Sequence, residues 1–333
     1  MEHPELHHPH DLLVRRFFPD PELMADFLQR YPQNPTDQQR IALLDLTKLV
    51  CKDPVTVTDK LAEIRGDLRF STLFKGSDCE ANVYLFFEHQ STKDADLRVR
   101  GLEHIIEEYK KFRTTTKGRK KFPYPIFVVL HHGKTPWEHV PEMDELIEIV
   151  PGMQTGLLQY MMIFIDISPL TQDQFGGHPV LAVALEMLQL APKNELAKHL
   201  DRVLERLKAV NTDPRIYSWL LSFAQYVLAT TTLDKEQVAT TISQVTTNKK
   251  ETYNMVMTTA EKLFYEGEAR GEARGEAKAG RNMVLKALHT KFRQVPKPIE
   301  QAVLAMSDPI ALESLLEHVF YSETIDEFAT ALQ

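Results

Sequence analysis

Three polar residues beside two apolar segments have the spacing of a metal site. Glu88 and Gln90 end one apolar segment, and Asp67 opens the apolar segment before it. Residues i and i+2 of a β-strand point to the same face, so we expect Glu88 and Gln90 side by side, with His89 facing the other way. Because oxygen ligands suit Mg²⁺, and also Mn²⁺ or Ca²⁺, we predict that Asp67, Glu88 and the main-chain carbonyl of His89 hold a divalent cation. Gln90 would position water or substrate beside it.

The chemistry that such a site supports is phosphodiester hydrolysis. A bound cation offsets charge on the phosphate, lowers the pKa of an attacking water and stabilises the leaving oxygen. Acidic residues at strand ends are also common on protein surfaces without any such role. The residue types and their spacing alone leave both interpretations open.

A basic stripe follows the predicted site, on a chain whose net charge is −8. Between residues 98 and 121, nine Lys or Arg stand against three Glu, which is an electrostatic pattern that phosphate could use. The alternative is a solvated helix end followed by a loop. The candidate DNA-binding residues are Arg98, Arg100, Lys110, Lys111, Arg113, Lys117, Arg119, Lys120 and Lys121.

The elements that must position these residues alternate between helix and strand. The hydrophobic periods predict an α/β unit with a mixed sheet. His131 and His132 follow one of the predicted strands, so we expect one of them to face the core and the other the surface. The predicted helices cover about 21–31, 36–49 and 92–112, and the predicted strands 67–74, 81–87, 125–130 and 160–167.

The second half of the chain has only helical patterns. We therefore predict two domains, a catalytic domain over 1–176 and an all-helical domain over 177–333. Within the latter, residues 267–278 repeat Gly-Glu-Ala-Arg/Lys, which on a helix gives an acidic stripe opposite a basic one. Such a helix is complementary to a second copy, so we predict a homo-oligomer formed through this region. A flexible connector is the alternative.

Composition places limits on the class of protein. A hydrophobic content of 43% over 333 residues is ample for a packed core. The two cysteines, Cys51 and Cys79, suggest a reducing compartment. The N-terminus lacks a signal-peptide pattern, and we find no apolar run long enough to cross a membrane. The expectation is a soluble cytoplasmic protein without a membrane partner.

Several segments, taken in order, resemble one protein family. They are His10-Asp11, residues 17–22, Arg65-Gly66-Asp67-Leu68, residues 84–91 with Glu-His-Gln-Ser, and residues 128–137 with His-His-Gly-Lys-Thr-Pro-Trp. Together they resemble the recombination-promoting nuclease / putative transposase family, a branch of the PD-(D/E)xK nuclease superfamily, over about residues 8–175. The Gly-Glu-Ala-Arg repeats resemble a charged helix that members often carry near the C-terminus.

The resemblance implies a restriction-endonuclease-like mixed-sheet core followed by an all-α C-terminal domain. It also implies divalent-metal-dependent DNA endonuclease activity, linked to DNA recombination, mobile elements or defence. Asp67 and Glu88 would take the acidic positions of the superfamily, and Gln90 replaces the usual lysine, a departure that this family shares. His10 and Asp11 match the family's N-terminal pair and could complete the catalytic shell; a disordered, histidine-rich leader is the alternative.

Two other functions remain open at this point. One is a non-catalytic module that binds DNA or protein on a nuclease fold, which predicts salt-sensitive DNA binding without metal-dependent cleavage. The other is a DNA-joining transposase, which would need specific recognition of DNA ends and strand transfer.

Overall fold

The structure is a computed structural model that describes residues 9–52, 68–88, 94–116, 118, 121–148, 159–330 and 332. A mixed β-sheet with helices around it comes first along the chain, and a long all-helical region follows. The predicted α/β core followed by an all-α region is therefore confirmed.

Three short helices precede the sheet, and each begins at a proline. Proline suits the first helical turn because its φ is already helical and no N–H is needed there. The side chains of Asp20 and Asn34 cap the second and third helices by accepting hydrogen bonds from the backbone N–H two residues on, at 2.9 and 2.8 Å. The three helices are α1 (Pro9–Phe17), α2 (Pro21–Arg30) and α3 (Pro35–Ala42).

The prediction of one helix over 36–49 is wrong in its second half. The third helix ends at Ala42, and the chain then forms strand β1 (Leu44–Cys51), antiparallel to the next strand. Leu44, Leu46 and Leu49 are buried, and their spacing fits a strand with a bulge nearly as well as a helix. Residues 44–51 form a strand and not a helix because they pair with β2.

Within the described residues the sheet has five strands in the order β1-β2-β3-β4-β5. The first three are antiparallel neighbours, whereas β3, β4 and β5 run parallel. A turn at Gly76, whose φ is +68°, joins β2 to β3 as the sequence predicts. The remaining strands are β2 (Leu68–Phe74), β3 (Glu80–Glu88), β4 (Tyr124–His131) and β5 (Met161–Asp166).

Helices cover both faces of this sheet. On one face, Tyr84, Phe127 and Met162 form a buried cluster with Leu97 of α4 (Leu97–Thr115). On the other face lies α6, in which every residue after its first proline is buried. Helix α1 contacts α6 and α8, and Phe17 stacks on Phe223 with 4.6 Å between the ring centroids. The helices of this part are α5 (Met143–Leu146), α6 (Pro179–Leu190), α7 (Leu196–Glu205), α8 (Ile216–Thr230) and α9 (Lys235–Ser243).

The described chain packs as two compact units that divide between residues 260 and 261. Helices α6 to α9 thus belong to the same unit as the sheet. A boundary between a catalytic and a helical domain at 176/177 stays a prediction.

The second unit has its own hydrophobic core. Val284, Leu288, Leu312 and Phe328 are buried there. Helix α10 is continuous over 44 residues and contains the Gly-Glu-Ala-Arg repeats. Among the described residues, no helix has the length and apolarity to cross a membrane. The remaining helices are α10 (Lys249–Phe292), which belongs to this unit from residue 261 on, α11 (Lys297–Ala305), α12 (Pro309–Tyr321) and α13 (Ile325–Thr330).

Candidate functional site

Three parallel strands end in register at one edge of the sheet. Glu88, the last residue of β3, pairs with His131, the last residue of β4, and His131 pairs with Asp166, the last residue of β5. Neighbouring strands lie about 4.8 Å apart, so the three positions form one short row. In open α/β sheets, ligands bind at the carboxyl ends of parallel strands. We refer to this row as the carboxyl edge.

Three residues of the predicted metal site lie outside the described residues: Asp67, His89 and Gln90. Leu68, to which Asp67 is bonded, is the first residue of β2 and pairs with Leu85 of β3. The start of β2 therefore lies near the carboxyl edge, three residues along β3 from Glu88.

His131 is the central residue of the carboxyl edge and is only 3% exposed. Its ring lies edge-on to Trp137 and is stacked at a distance on Phe164, with centroids 5.4 and 6.2 Å away. The Nδ1 atom is buried and has no hydrogen-bond partner among the described atoms. A buried polar atom without a partner is costly, so its presence beside Glu88 marks this place as a candidate site.

The chain that leaves β4 folds back over the His131 ring. The Nε2 atom lies 3.3 Å from the Gly133 nitrogen, which donates to it, and 3.4 Å from the Thr135 carbonyl oxygen. A Cβ at position 133 would fall 2.6 Å from Cε1 of the ring, so only glycine allows this approach. The tip of the turn, including Lys134, is exposed.

Asp166 fastens the far end of the same turn. Its carboxylate accepts hydrogen bonds from the backbone nitrogens of Trp137 and Ser168, both at 2.8 Å. Asp166 and Trp137 are 6% and 5% exposed, so these bonds are protected from water. The sequence marks Asp166 only as a residue near a strand end. Asp166 can hold the turn because β4 and β5 pair in this parallel register. The residues around Asp166 in the sequence do not predict that register.

Arg98 and Arg100, at the start of α4, are both engaged by acids. Arg98 is 8% exposed; it forms an ion pair with Glu142 and donates from Nε to the Pro141 carbonyl oxygen at 2.6 Å. Arg100 pairs with Asp94 at 3.2 Å. A contact of either guanidinium with DNA stays a prediction.

The other described residues of the basic stripe lie toward the opposite ends of these strands. Arg113 stands over the Phe122 ring at 4.6 Å, and Lys121 directly precedes Phe122 before the start of β4. The start of β4 pairs with Ala81, seven residues before Glu88, which corresponds to about 23 Å along the strands. Lys110 and Lys111 are exposed on the last turns of α4, and Lys117, Arg119 and Lys120 lie outside the described residues.

The interior of the α4 face carries an ion cluster. The Glu108 carboxylate, 8% exposed, accepts from Arg69 Nη1 at 2.5 Å and from Lys111 Nζ at 2.8 Å. Burial alone would raise the pKa of Glu108, but the two cations outweigh it and hold the pKa below its usual value. Burial lowers the pKa of His104, whose ring packs edge-on against Tyr84 and Phe86.

The sequence pattern of one protein family matches residues 8–216, which is more than half of the chain. That family is described as putative transposases, YhgA-like. The chain belongs to it. No curated protein and no solved structure shows significant similarity to the chain. The family predicted from the sequence is thus confirmed, whereas its place in the PD-(D/E)xK superfamily stays a prediction.

The matched part of this YhgA-like chain includes the N-terminal pair, His10 and Asp11. His10 lies in α1 with Nδ1 2.8 Å from the Tyr226 hydroxyl, and its ring is 4.9 Å from that of His132. Asp11 is half-buried in the first turn of α1, where the helix dipole favours an acid. A role for either residue in catalysis stays a prediction.

His132 faces away from the carboxyl-edge turn. It is 1% exposed, and its Nδ1 lies 3.0 Å from the carbonyl oxygen of Leu188 in α6. The prediction that one of the two adjacent histidines faces the surface is wrong: α6 covers His132, and the turn that follows β4, with Trp137, covers His131. His10 contacts His132, so it packs on the face of the sheet opposite to His131.

Within the described part of the chain, no group of three or more His, Cys, Asp or Glu side chains is arranged to hold a metal ion. Asp67 and His89, two of the three predicted ligands, lie outside that part. The predicted cation site therefore stays a prediction.

Proposed function

We propose that this YhgA-like protein is a divalent-metal-dependent DNA endonuclease whose site lies at the carboxyl edge. The observation that carries the proposal is the register that ends β3 and β4 at Glu88 and His131, beside the start of β2, which Asp67 directly precedes. Glu88 ends its strand beside His131, whose ring has a buried nitrogen without a described partner. A carboxylate and an imidazole from neighbouring strand ends suit a hard cation and its water.

In this proposal Asp67, Glu88 and the main-chain carbonyl of His89 hold Mg²⁺, Mn²⁺ or Ca²⁺. The ion supplies charge neutralisation at the scissile phosphate and acidifies the attacking water. Gln90 carries an amide, which does not take up a proton, so it orients water or phosphate rather than acting as the base. The attacking water would release its proton to solvent, and the leaving sugar oxygen would take up a proton from solvent when its bond to phosphorus breaks.

The test is cleavage of supercoiled plasmid DNA by the purified protein, with Mg²⁺, Mn²⁺ or Ca²⁺ and with a chelator. We expect nicked or linear product only with a divalent ion. Glu88→Gln and Asp67→Asn should each lower the rate at least about 100-fold, because a lost ligand removes several kcal/mol of transition-state stabilisation. The matched control is Glu80→Gln, at the other end of β3, which should cleave like wild type.

Two outcomes would point elsewhere. Salt-sensitive DNA binding without cleavage would favour the non-catalytic module, and joined DNA products would favour a transposase. Equal cleavage by wild type and by an Asp67→Ala, Glu88→Ala double variant would contradict the proposed site.

We also propose that the protein forms a homo-oligomer through its C-terminal region. In support, Glu268, Glu272 and Lys278 of the repeat are exposed on a continuous helix, whereas Ala277 packs into the core of its own unit. Glycine costs about 1 kcal/mol relative to alanine inside a helix, so outside contacts would stabilise this segment. Light scattering at high protein concentration should give a mass above 38.3 kDa for the full chain; a strictly monomeric mass would contradict this.

A further inference from the structure

An anionic DNA strand at the carboxyl edge needs positive charge close to the carboxylates. Position 90, next to the proposed ligands in sequence, has a neutral amide. A cation from elsewhere in the fold would have to face the phosphate.

Among the described residues, most cations that contact the segments leaving this edge are already bound to other groups. Arg98 is tied to Glu142 and Pro141, in the chain that follows Trp137. Lys193 donates from Nζ to the carbonyl oxygen of Ser168 at 2.9 Å. Ser168 lies two residues after the end of β5. Lys134 differs from both, because it is exposed and has neither an ion pair nor a hydrogen bond among the described residues.

The backbone at Lys134 is fixed although its side chain is exposed. On one side, Gly133 donates to the buried His131 ring and Thr135 approaches the same atom. On the other side, the Trp137 nitrogen is bound by the Asp166 carboxylate. A lysine on a turn fastened at both ends loses little further backbone entropy when it binds an anion.

We propose that Lys134 is a phosphate-binding residue of the active site, whose ammonium contacts the DNA backbone and supplies the charge that position 90 lacks. The turn begins at His131, one strand away from Glu88, so Lys134 lies at the same edge as the proposed ligand Glu88. This inference rests on the proposed nuclease function and adds a substrate contact to it. The exposed and described residues of the basic stripe near the start of β4, such as Lys110 and Lys121, lie too far along the strands to replace Lys134 at a phosphate bound at the carboxyl edge.

The experiment compares wild type, Lys134→Gln, Lys134→Arg and Lys75→Gln. Lys75 is the matched control, because it is also an exposed lysine on a turn but lies at the opposite end of the sheet. Two quantities are measured: kcat/KM for plasmid cleavage with Mg²⁺, and the salt dependence of duplex binding with a chelator in place of the metal. Glu88→Gln is run in parallel as the test of the nuclease site itself.

We expect Lys134→Gln to lower kcat/KM by about tenfold to a hundredfold, as for loss of one charge-assisted hydrogen bond. It should also reduce the slope of log K against log salt by about 0.9, the value for one phosphate contact. Lys134→Arg should keep most of both quantities, and Lys75→Gln should match wild type.

The inference is overturned if Lys134→Gln matches Lys75→Gln in both quantities while Glu88→Gln is inactive; the nuclease site then stands without Lys134. If wild type shows no metal-dependent cleavage, or if Glu88→Gln cleaves normally, the proposed function fails and the inference fails with it. A loss of cleavage by Lys134→Gln with an unchanged salt slope also overturns phosphate binding.

Discussion

The two ends of β4 satisfy their polar groups in different ways. At its start, the Tyr109 hydroxyl donates to the Pro123 carbonyl oxygen at 3.1 Å, and Arg113 stands over the Phe122 ring. At its end, Nδ1 of His131 is buried without a described partner. Proteins usually pair their buried polar groups, and the exceptions concentrate where function needs them.

We interpret this difference as one between a structural end of the sheet and the end at which we propose the active site. From the start of β4 to its middle, the charged groups hold α4 against the sheet, as the Arg69–Glu108–Lys111 cluster shows. At the carboxyl edge the bonds hold a turn in place and leave its lysine and the buried imidazole available. Changes at the first place should therefore act on stability, and changes at the second on DNA cleavage.

The largest effect is expected from the substitution Gly133→Ala. Gly133→Ala would put a methyl group 2.6 Å from His131 Cε1, so the turn or the ring must move. A displacement of about 1 Å at a reacting site costs on the order of 100-fold in rate. Overpacking should add about 1–3 kcal/mol of lost stability. Plasmid cleavage and urea denaturation measure the two effects.

The control for this substitution is Gly76→Ala, at the other end of the sheet. Gly76 has φ +68° and no atom within 4 Å of an added Cβ, so alanine there meets backbone strain but no clash. We expect a loss of about 1 kcal/mol of stability and normal cleavage by the folded protein. If both alanines lower cleavage alike, the distinction between the two ends of the sheet is wrong.

Much of this architecture could be predicted from the sequence, because it depends on local pattern. The apolar run before Glu88 and the β-branched run before His131 predict strands, and both strands are present. Helices at Pro21 and through the C-terminal half follow from caps and period in the same way. The error at β1 arose where the spacing of leucines fits two periods and only the partner strand decides.

The arrangement of the carboxyl edge could not be predicted in this way. Nothing local shows that positions 88, 131 and 166 form one row, because register is a property of three strands together. The burial of His132 also depends on α1 and α6, which are distant in sequence, and that of His131 depends on a turn folding back over its ring. The sequence predicted candidate ligands, and the fold supplied the turn with Lys134.

An intermediate effect is expected for the ion cluster on α4. Glu108→Gln removes the charge that Arg69 and Lys111 share, and leaves them facing an amide. Since both cations keep some contact with water, we expect a loss of about 1–2 kcal/mol in the free energy of unfolding. Glu107→Gln, an exposed neighbour on the same helix, should change it by less than about 0.5 kcal/mol. A larger effect of Glu108→Gln on cleavage than on stability would contradict the structural role of this cluster.

The smallest effect is expected from the titration of His104. Burial lowers the pKa of this imidazole against the attraction of Glu108, so the unfolded chain takes up a proton at higher pH than the folded chain. Stability should therefore fall as the pH drops below the unfolded value of about 6.5, and the slope should correspond to at most one proton. The substitution His104→Phe keeps a ring against Tyr84 and Phe86 but removes the titrating group. The free energy of unfolding of this variant should therefore change less between pH 7.5 and pH 5 than that of wild type, and the difference should correspond to at most one proton. Parallel curves for the two proteins would mean that His104 is protonated equally in both states, and that this part of the α4 face is wetter than its packing indicates.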